Sequence, residues 1–190
     1  LTHAVESYLS TASTSATEIQ AKAAVRLTFL YLARAWHDGD DMEARDAMAV
    51  ASFYAGSAFG RTSVGYVHGI AHQLGRICQT PHGNANAMVL PEVLSAYGHC
   101  VHERLADLAV LVGLGENGEA PSSLAQKFIK TIIDLRTEME IPLKPNGLQA
   151  SDIPSVVEEA LAEAGDLYPV PRYMTEIEVT AIVRDLLPTT

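Results

Sequence analysis

The stretch between Val64 and Gly83 constrains this chain more than any other. Val64, Val67, Ala71 and Gly75 recur at helical spacing and mark one buried stripe. His68 and His72 lie four apart on that stripe, one turn above the other. Two imidazoles pointing into a core need partners, because an unsatisfied buried polar group costs about 1–3 kcal/mol. His82 follows in the loop behind Pro81, after an expected helix end at Gly75. Gly69, next to His68, removes a side chain where another element can approach closely. A pair of histidines four apart is a weak metal signal, and a lone buried histidine is more often bonded to a backbone carbonyl. With His82 and His3 added, a shared metal ion satisfies the whole pattern at once.

The remaining periodicity is helical throughout, and the expected fold is all-α. Helices are expected over residues 1–10, 19–36 (Val25, Phe29, Leu32 and Trp36 on one face) and 42–59 behind an Asp40 or Asp41 cap. Ala44, Ala47, Ala51, Ala55 and Ala58 in the last of these imply close helix pairing. After the histidine helix comes a loop over 76–81, then a helix over 84–99 that Pro91 should kink or interrupt. Helices over 105–114 and from a Ser122 or Ser123 cap through Leu135 follow. A Pro-rich loop over 141–150 leads to a helix opening at Asp152, Pro154 and Ser155 and ending near Gly165. A last helix begins at a Thr175/Glu178 capping box and stops by Pro188. No strand, repeat or linker to a second domain is legible, so residues 1–190 form one helical domain.

Charge and composition close off other classes. A formal net charge of −10 argues against nucleic acid or an anionic membrane as partner. No apolar run approaches the ~20 residues of a membrane span. Cys78 and Cys100 are too few for a disulfide framework, which points to a reducing cytoplasm. Leu1 stands where an initiator Met would, directly inside a patterned segment, as expected of a domain cut from something longer.

Residues 55–94, AGSAFGRTSVGYVHGIAHQLGRICQTPHGNANAMVLPEVL, resemble a signature of the iron-containing (group III) alcohol dehydrogenases. The opening Leu1-Thr2-His3-Ala4-Val5-Glu6-Ser7-Tyr8-Leu9-Ser10 resembles that family's other signature. The Asp38–Asp41 turn with Glu43, Ala44, Arg45 and Met48, and the late Tyr168-Pro169-Val170-Pro171-Arg172, fit as well. The resemblance implies the C-terminal helical half of such an enzyme, with a dehydroquinate synthase-like fold. The N-terminal α/β domain that binds the nucleotide is not in this chain, which has no G-x-G-x-x-G or P-loop. It further implies one divalent metal, Fe²⁺ or sometimes Zn²⁺, held by His3, His68 and His82. A carboxylate ligand would fall four residues before His3, two positions before Leu1.

The remaining implied roles are a proton relay or support for a ligand at His72, and a substrate-pocket wall at Phe59. Phe59 reads equally well as an ordinary core aromatic. No residue of this chain is assigned to NAD or NADP. The implied reaction interconverts a small alcohol with its aldehyde or ketone, with the N-terminal domain as partner. An apolar wall left by that domain would favour a homo-oligomer, and the chain alone is expected to be inactive. Two rivals stand beside this reading. One is a metal-independent maleylacetate reductase-like enzyme, disfavoured by Gly83-Asn84-Ala85-Asn86-Ala87 after His82. The other is a non-catalytic helical module with a structural metal site. Cys78 is assigned nothing, and His37, His99 and His102 are expected at the surface.

Overall fold

The computed structural model describes residues 1–116 and 118–188. Its helices are α1 (Thr2–Leu9), α2 (Ser15–His37), α3 (Met42–Thr62), α4 (Tyr66–Cys78), α5 (His82–Tyr97), α6 (His102–Leu111), α7 (Pro121–Glu138), α8 (Ile153–Leu167) and α9 (Glu176–Asp185). Short 3₁₀ turns cover Gly98–Val101 and Ala150–Asp152, and the described residues contain no strand.

The shortest helices are often surface fragments, but α1 is buried. Ala4 through Leu9 are all buried, so its apolar side chains meet neighbours on every side. Polar side chains fasten it. Ser10 Oγ donates to Thr62 O at 2.9 Å, Thr62 Oγ1 to Ser7 Oγ at 2.8 Å, and Tyr8 Oη to Asp107 Oδ2 at 2.8 Å. Arg104 lies over the Tyr8 ring and also bonds Ser13 and Glu18. Around α1, the α2–α3 hairpin covers one side and α5 touches another. Helix α4 lies between α5 and α8, while α6 pairs with α7 and α8 with α9.

The alanines of α3 do allow close pairing. Ala44, Ala51, Ala55 and Ala58 are buried on α3, which packs along α2, and Ala55 and Ala58 share one core cluster with Ala21, Ala24 and Val25. Trp36 departs from expectation, being 53% exposed. The buried residues of α2 stop at Thr28, and its last turns are covered only in part, by α3 and by the end of α7, where His37 meets Glu138. The Asp41 cap is as expected, accepting from Ala44 N at 3.0 Å. Ser122 and Ser123 do not cap α7, which starts at Pro121 behind Ala120; proline suits that first position because its N–H would be unpaired anyway.

Two boundaries differ in the region of the histidines. Helix α4 does not stop at Gly75 but runs on to Cys78, and Gln79 ends it in the left-handed region with φ 54°. An interior glycine costs a helix only about 1 kcal/mol, which packing of Leu74 and Ile70 readily exceeds. The chain reverses across Gln79–Pro81, and α5 begins at His82, two residues earlier than expected. Ala85 N donates to Pro81 O at 2.9 Å, so the first turn closes at once. Helix α5 also passes through Pro91 without interruption, held on both sides by the buried Met88, Val89, Leu90, Val93 and Leu94. Helix α8 continues past Gly165 to Leu167. The Thr175/Glu178 capping box forms as expected, and Val179, Ile182, Val183 and Leu186 are buried.

Candidate metal centre

Three helices that are distant in sequence each deliver one imidazole to the same place. His3 comes from the first turn of α1, His68 from the first turn of α4, and His82 is the first residue of α5. One ring nitrogen from each of the three lies within 4.8 Å of the other two. The ring centroids of His68 are 4.4 Å from His3 and 5.3 Å from His82. His68 is buried, His3 half-buried and His82 exposed, so the group opens on one side.

The most informative atom is His68 Nε2. It is buried and has no hydrogen-bond partner. The other nitrogen, Nδ1, is held by the Glu6 carboxylate. A carboxylate can only accept, so Nδ1 donates and Nε2 keeps its lone pair. Glu6 is itself buried, and its second oxygen accepts Val67 N–H at 2.9 Å at the start of α4. The helix N-terminus favours this negative charge. Gly65 makes room for it, since a Cβ there would lie 2.8 Å from Glu6 Oε1. This is the carboxylate–histidine pairing that orients metal-binding imidazoles and makes them more basic.

Electrostatics points the same way. Burial first, and then the neighbouring His68, lowers the His3 pKa to about 4. Burial and the imidazoles of His68 and His72 also lower that of His82. Neutral imidazoles are the form that binds metal, and these two are neutral at physiological pH. Beside His82, Asn86 Nδ2 donates to the His82 backbone O at 2.9 Å and lies 3.1 Å from its Nε2, while Asn86 Oδ1 is buried without a partner. Three nitrogen donors with an orphaned buried lone pair among them fit a divalent cation of intermediate softness such as Fe²⁺ or Zn²⁺.

His72 is adjacent to this group but not one of the converging three. Its ring stacks on His82 with centroids 5.4 Å apart, and its Nδ1 lies 2.7 Å from Glu163 Oε1. Phe59, on α3, stacks on the His3 ring at 4.1 Å, a position neither remote nor purely core. Gly69 serves the close approach expected of it. A Cβ there would be 3.3 Å from Ala160 O, so α8 crosses α4 at this point and brings Glu163 to His72. Cys78 is the last residue of α4 rather than a loop residue, and burial raises its pKa, so it carries no reactive signature. His37 is exposed and pairs with Glu138 at 2.8 Å, and His99 is exposed.

Sequence reasoning missed Glu6, Asn86 and Glu163. Glu6 left a trace, a lone acid on an otherwise apolar helix three residues after His3. Glu163 is 91 residues from its partner and left none.

Residues 1–187 match the model of the Fe-containing alcohol dehydrogenase family, C-terminal part. The 1,3-propanediol dehydrogenase of Klebsiella pneumoniae is 39% identical over 186 residues, covering 97% of this chain and 48% of that protein. The NAD-dependent methanol dehydrogenase of Bacillus methanolicus is 31% identical over 98% of this chain and 49% of its own length. A crystal structure of a 1,3-propanediol oxidoreductase superposes with a TM-score of 0.92 at 37% identity, over 98% of this chain and 49% of that one. The chain thus spans about half the length of the relatives it matches.

Proposed function

The chain belongs to the Fe-containing alcohol dehydrogenase family, whose C-terminal part it matches, and from that premise we propose that it is the metal-binding half of an NAD(P)-dependent alcohol dehydrogenase. Residues 1–190 act as one helical domain. The substrates are a small alcohol and its aldehyde or ketone, in keeping with relatives named for propanediol and methanol. The observation that carries this reading is the buried, partnerless His68 Nε2, backed by Glu6 and faced by ring nitrogens of His3 and His82.

In this reading His3, His68 and His82 hold Fe²⁺ or Zn²⁺. When bound, the cation supplies Lewis acidity that polarises a carbonyl or alcohol oxygen. The residues of the chain do the rest. Glu6 keeps His68 in one tautomer and orientation. Phe59 buttresses His3 and lines the approach for a small apolar carbon skeleton. His72, exposed next to His82, exchanges a proton with the alcohol oxygen or with solvent. The nucleotide half of the enzyme supplies the hydride carrier, NAD or NADP. An exposed His82 leaves one side of the group open, which favours a reactive site over a closed structural one. The unpaired Cys78 and Cys100 support a cytoplasmic location.

The test is a fusion of this chain to the half of the Klebsiella relative that it does not span. With Fe²⁺ or Zn²⁺, the fusion should reduce NAD on addition of a short alcohol, and the 190-residue chain alone should not. A folded fusion that takes up metal and NAD yet turns over no alcohol contradicts the proposal. In the same fusion, His72→Ala should retain metal and lose roughly 10²–10⁴-fold in turnover. Metal loss would instead make His72 a ligand.

A further inference from the structure

We propose that Glu163, braced by Tyr168, is a positioning residue that holds His72 with Nδ1 as donor and leaves Nε2 as its only nitrogen free to exchange a proton. The inference rests on the reading of His72 as a proton relay for its purpose, but not for its geometry. His72 Nδ1 and Glu163 Oε1 are 2.7 Å apart, and Glu163 is the better shielded, with 22% of its side chain exposed against 41% for His72. The same oxygen accepts the Tyr168 hydroxyl, while Gln73 Nε2 approaches the other oxygen at 3.4 Å. A carboxylate has no proton to give at neutral pH, so all three neighbours donate and the imidazole must carry its proton on Nδ1.

Each part of the arrangement has a structural cause. Gly69 lets α8 lie against α4, with Ala160 O only 3.3 Å from where a Cβ would stand, and Ala164 beside it. That contact sets Glu163, one turn along α8, opposite His72. Tyr168 ends α8 in extended backbone and turns its ring back over Glu163. Burial, and then the bond to Glu163, raises the Tyr168 pKa, so its hydroxyl stays a donor across the working pH range. Neighbouring Pro169 O accepts Thr11 N–H at 2.8 Å, which ties this corner to the end of α1. A relay needs one defined tautomer, since a ring that flips offers the wrong nitrogen half the time. An exposed histidine alone has nothing to prevent that; here a braced carboxylate does.

Long-range ¹H–¹⁵N spectra of the ¹⁵N-labelled chain at about pH 8, without metal, alcohol or nucleotide, read the tautomer directly. His72 is expected in the Nδ1–H form. Glu163→Ala should shift it to the Nε2–H form or to exchange between the two, whereas Glu163→Gln, which keeps an acceptor oxygen, should restore the wild-type pattern. Signals of His37 and His99 report that each variant is folded. Tyr168→Phe, which deletes only the hydroxyl, should speed exchange of the Nδ1 proton and serves if Glu163→Ala does not fold. An Nε2–H tautomer in the wild-type chain, an unchanged tautomer in Glu163→Ala, or a Glu163→Gln chain indistinguishable from Glu163→Ala overturns the proposal. In the fusion enzyme, Glu163→Ala should lower kcat about 10-fold with KM unchanged. The correct tautomer combined with full turnover in His72→Ala would sink the relay and leave the positioning intact. The wrong tautomer with impaired His72→Ala would do the reverse.

Discussion

Glu6, on α1, makes two contacts to α4 with one buried carboxylate, accepting the Val67 amide at the start of that helix and the Nδ1 proton of His68. Removing it takes away the orientation of His68 and leaves the Val67 N–H unpaired. Glu6→Ala should therefore weaken Zn²⁺ binding by about 10–100-fold, as read by calorimetry on the folded variant. Unchanged affinity would mean that His68 is oriented by packing alone. At this scale the histidines were legible in the sequence and their supports were not. His68 and His72 announced themselves by spacing on an apolar stripe, and His3 and His82 joined that pattern before the resemblance gave them a ligand role. Glu6 left only the trace of a lone acid near His3 and Glu163 left none, because their partners are 62 and 91 residues away and pairing over such separations has no local period.

Helix periodicity was the readable part of the fold, and helix ends were less so. Gly75 looked like a terminus, but Ile70 and Leu74 before it are buried and Ile77 and Cys78 after it pack against the core, which overrides a glycine. His82 looked like a loop residue because Pro81 precedes it, yet Pro81 O accepts the first bond of α5. The glycine that does matter is Gly69. Gly69→Val would push α8 away from α4, since even a Cβ sits 3.3 Å from Ala160 O. A loss of about 1–3 kcal/mol in denaturant unfolding is expected, with the His72 tautomer lost alongside it. Equal stability would show that the two helices adjust freely. A second element-scale device joins α9 to α5. Arg172 donates to Ala96 O at 2.5 Å and to Glu178 at 2.6 Å, while Glu178 also accepts Thr175 N–H at 2.8 Å. The hydrogen bond from Arg172, and then the Thr175 amide, hold the Glu178 carboxyl at about 2, well below its ordinary 4.5. A depressed folded pKa means stability that is present above the ordinary value and lost as pH falls toward the folded one. The wild-type chain should therefore lose its stability advantage over Glu178→Gln as pH falls from about 5 to about 2. Parallel melting curves for the two across that range would contradict the pairing.

For the whole molecule, no helix among the described residues is long and apolar enough to cross a membrane. The exposed Leu30, Trp36, Val50 and Phe53 lie on the α2–α3 hairpin. Exposed apolar side chains on one surface favour self-association, and light scattering should show concentration-dependent association of the chain that Phe53→Asp reduces. A strict monomer at every concentration would refute it. The α-helical class and the converging histidines could be read from the chain, whereas the burial of α1 among its neighbours required the fold. The most direct measurement is titration of the 190-residue chain with Co²⁺, followed by its visible absorption, in the wild type and four single variants. Expected is one cobalt per chain, lost in His3→Ala, His68→Ala and His82→Ala and kept in His72→Ala. Undiminished binding in His68→Ala, or loss in His72→Ala as severe as in the other three, would contradict a centre built from His3, His68 and His82.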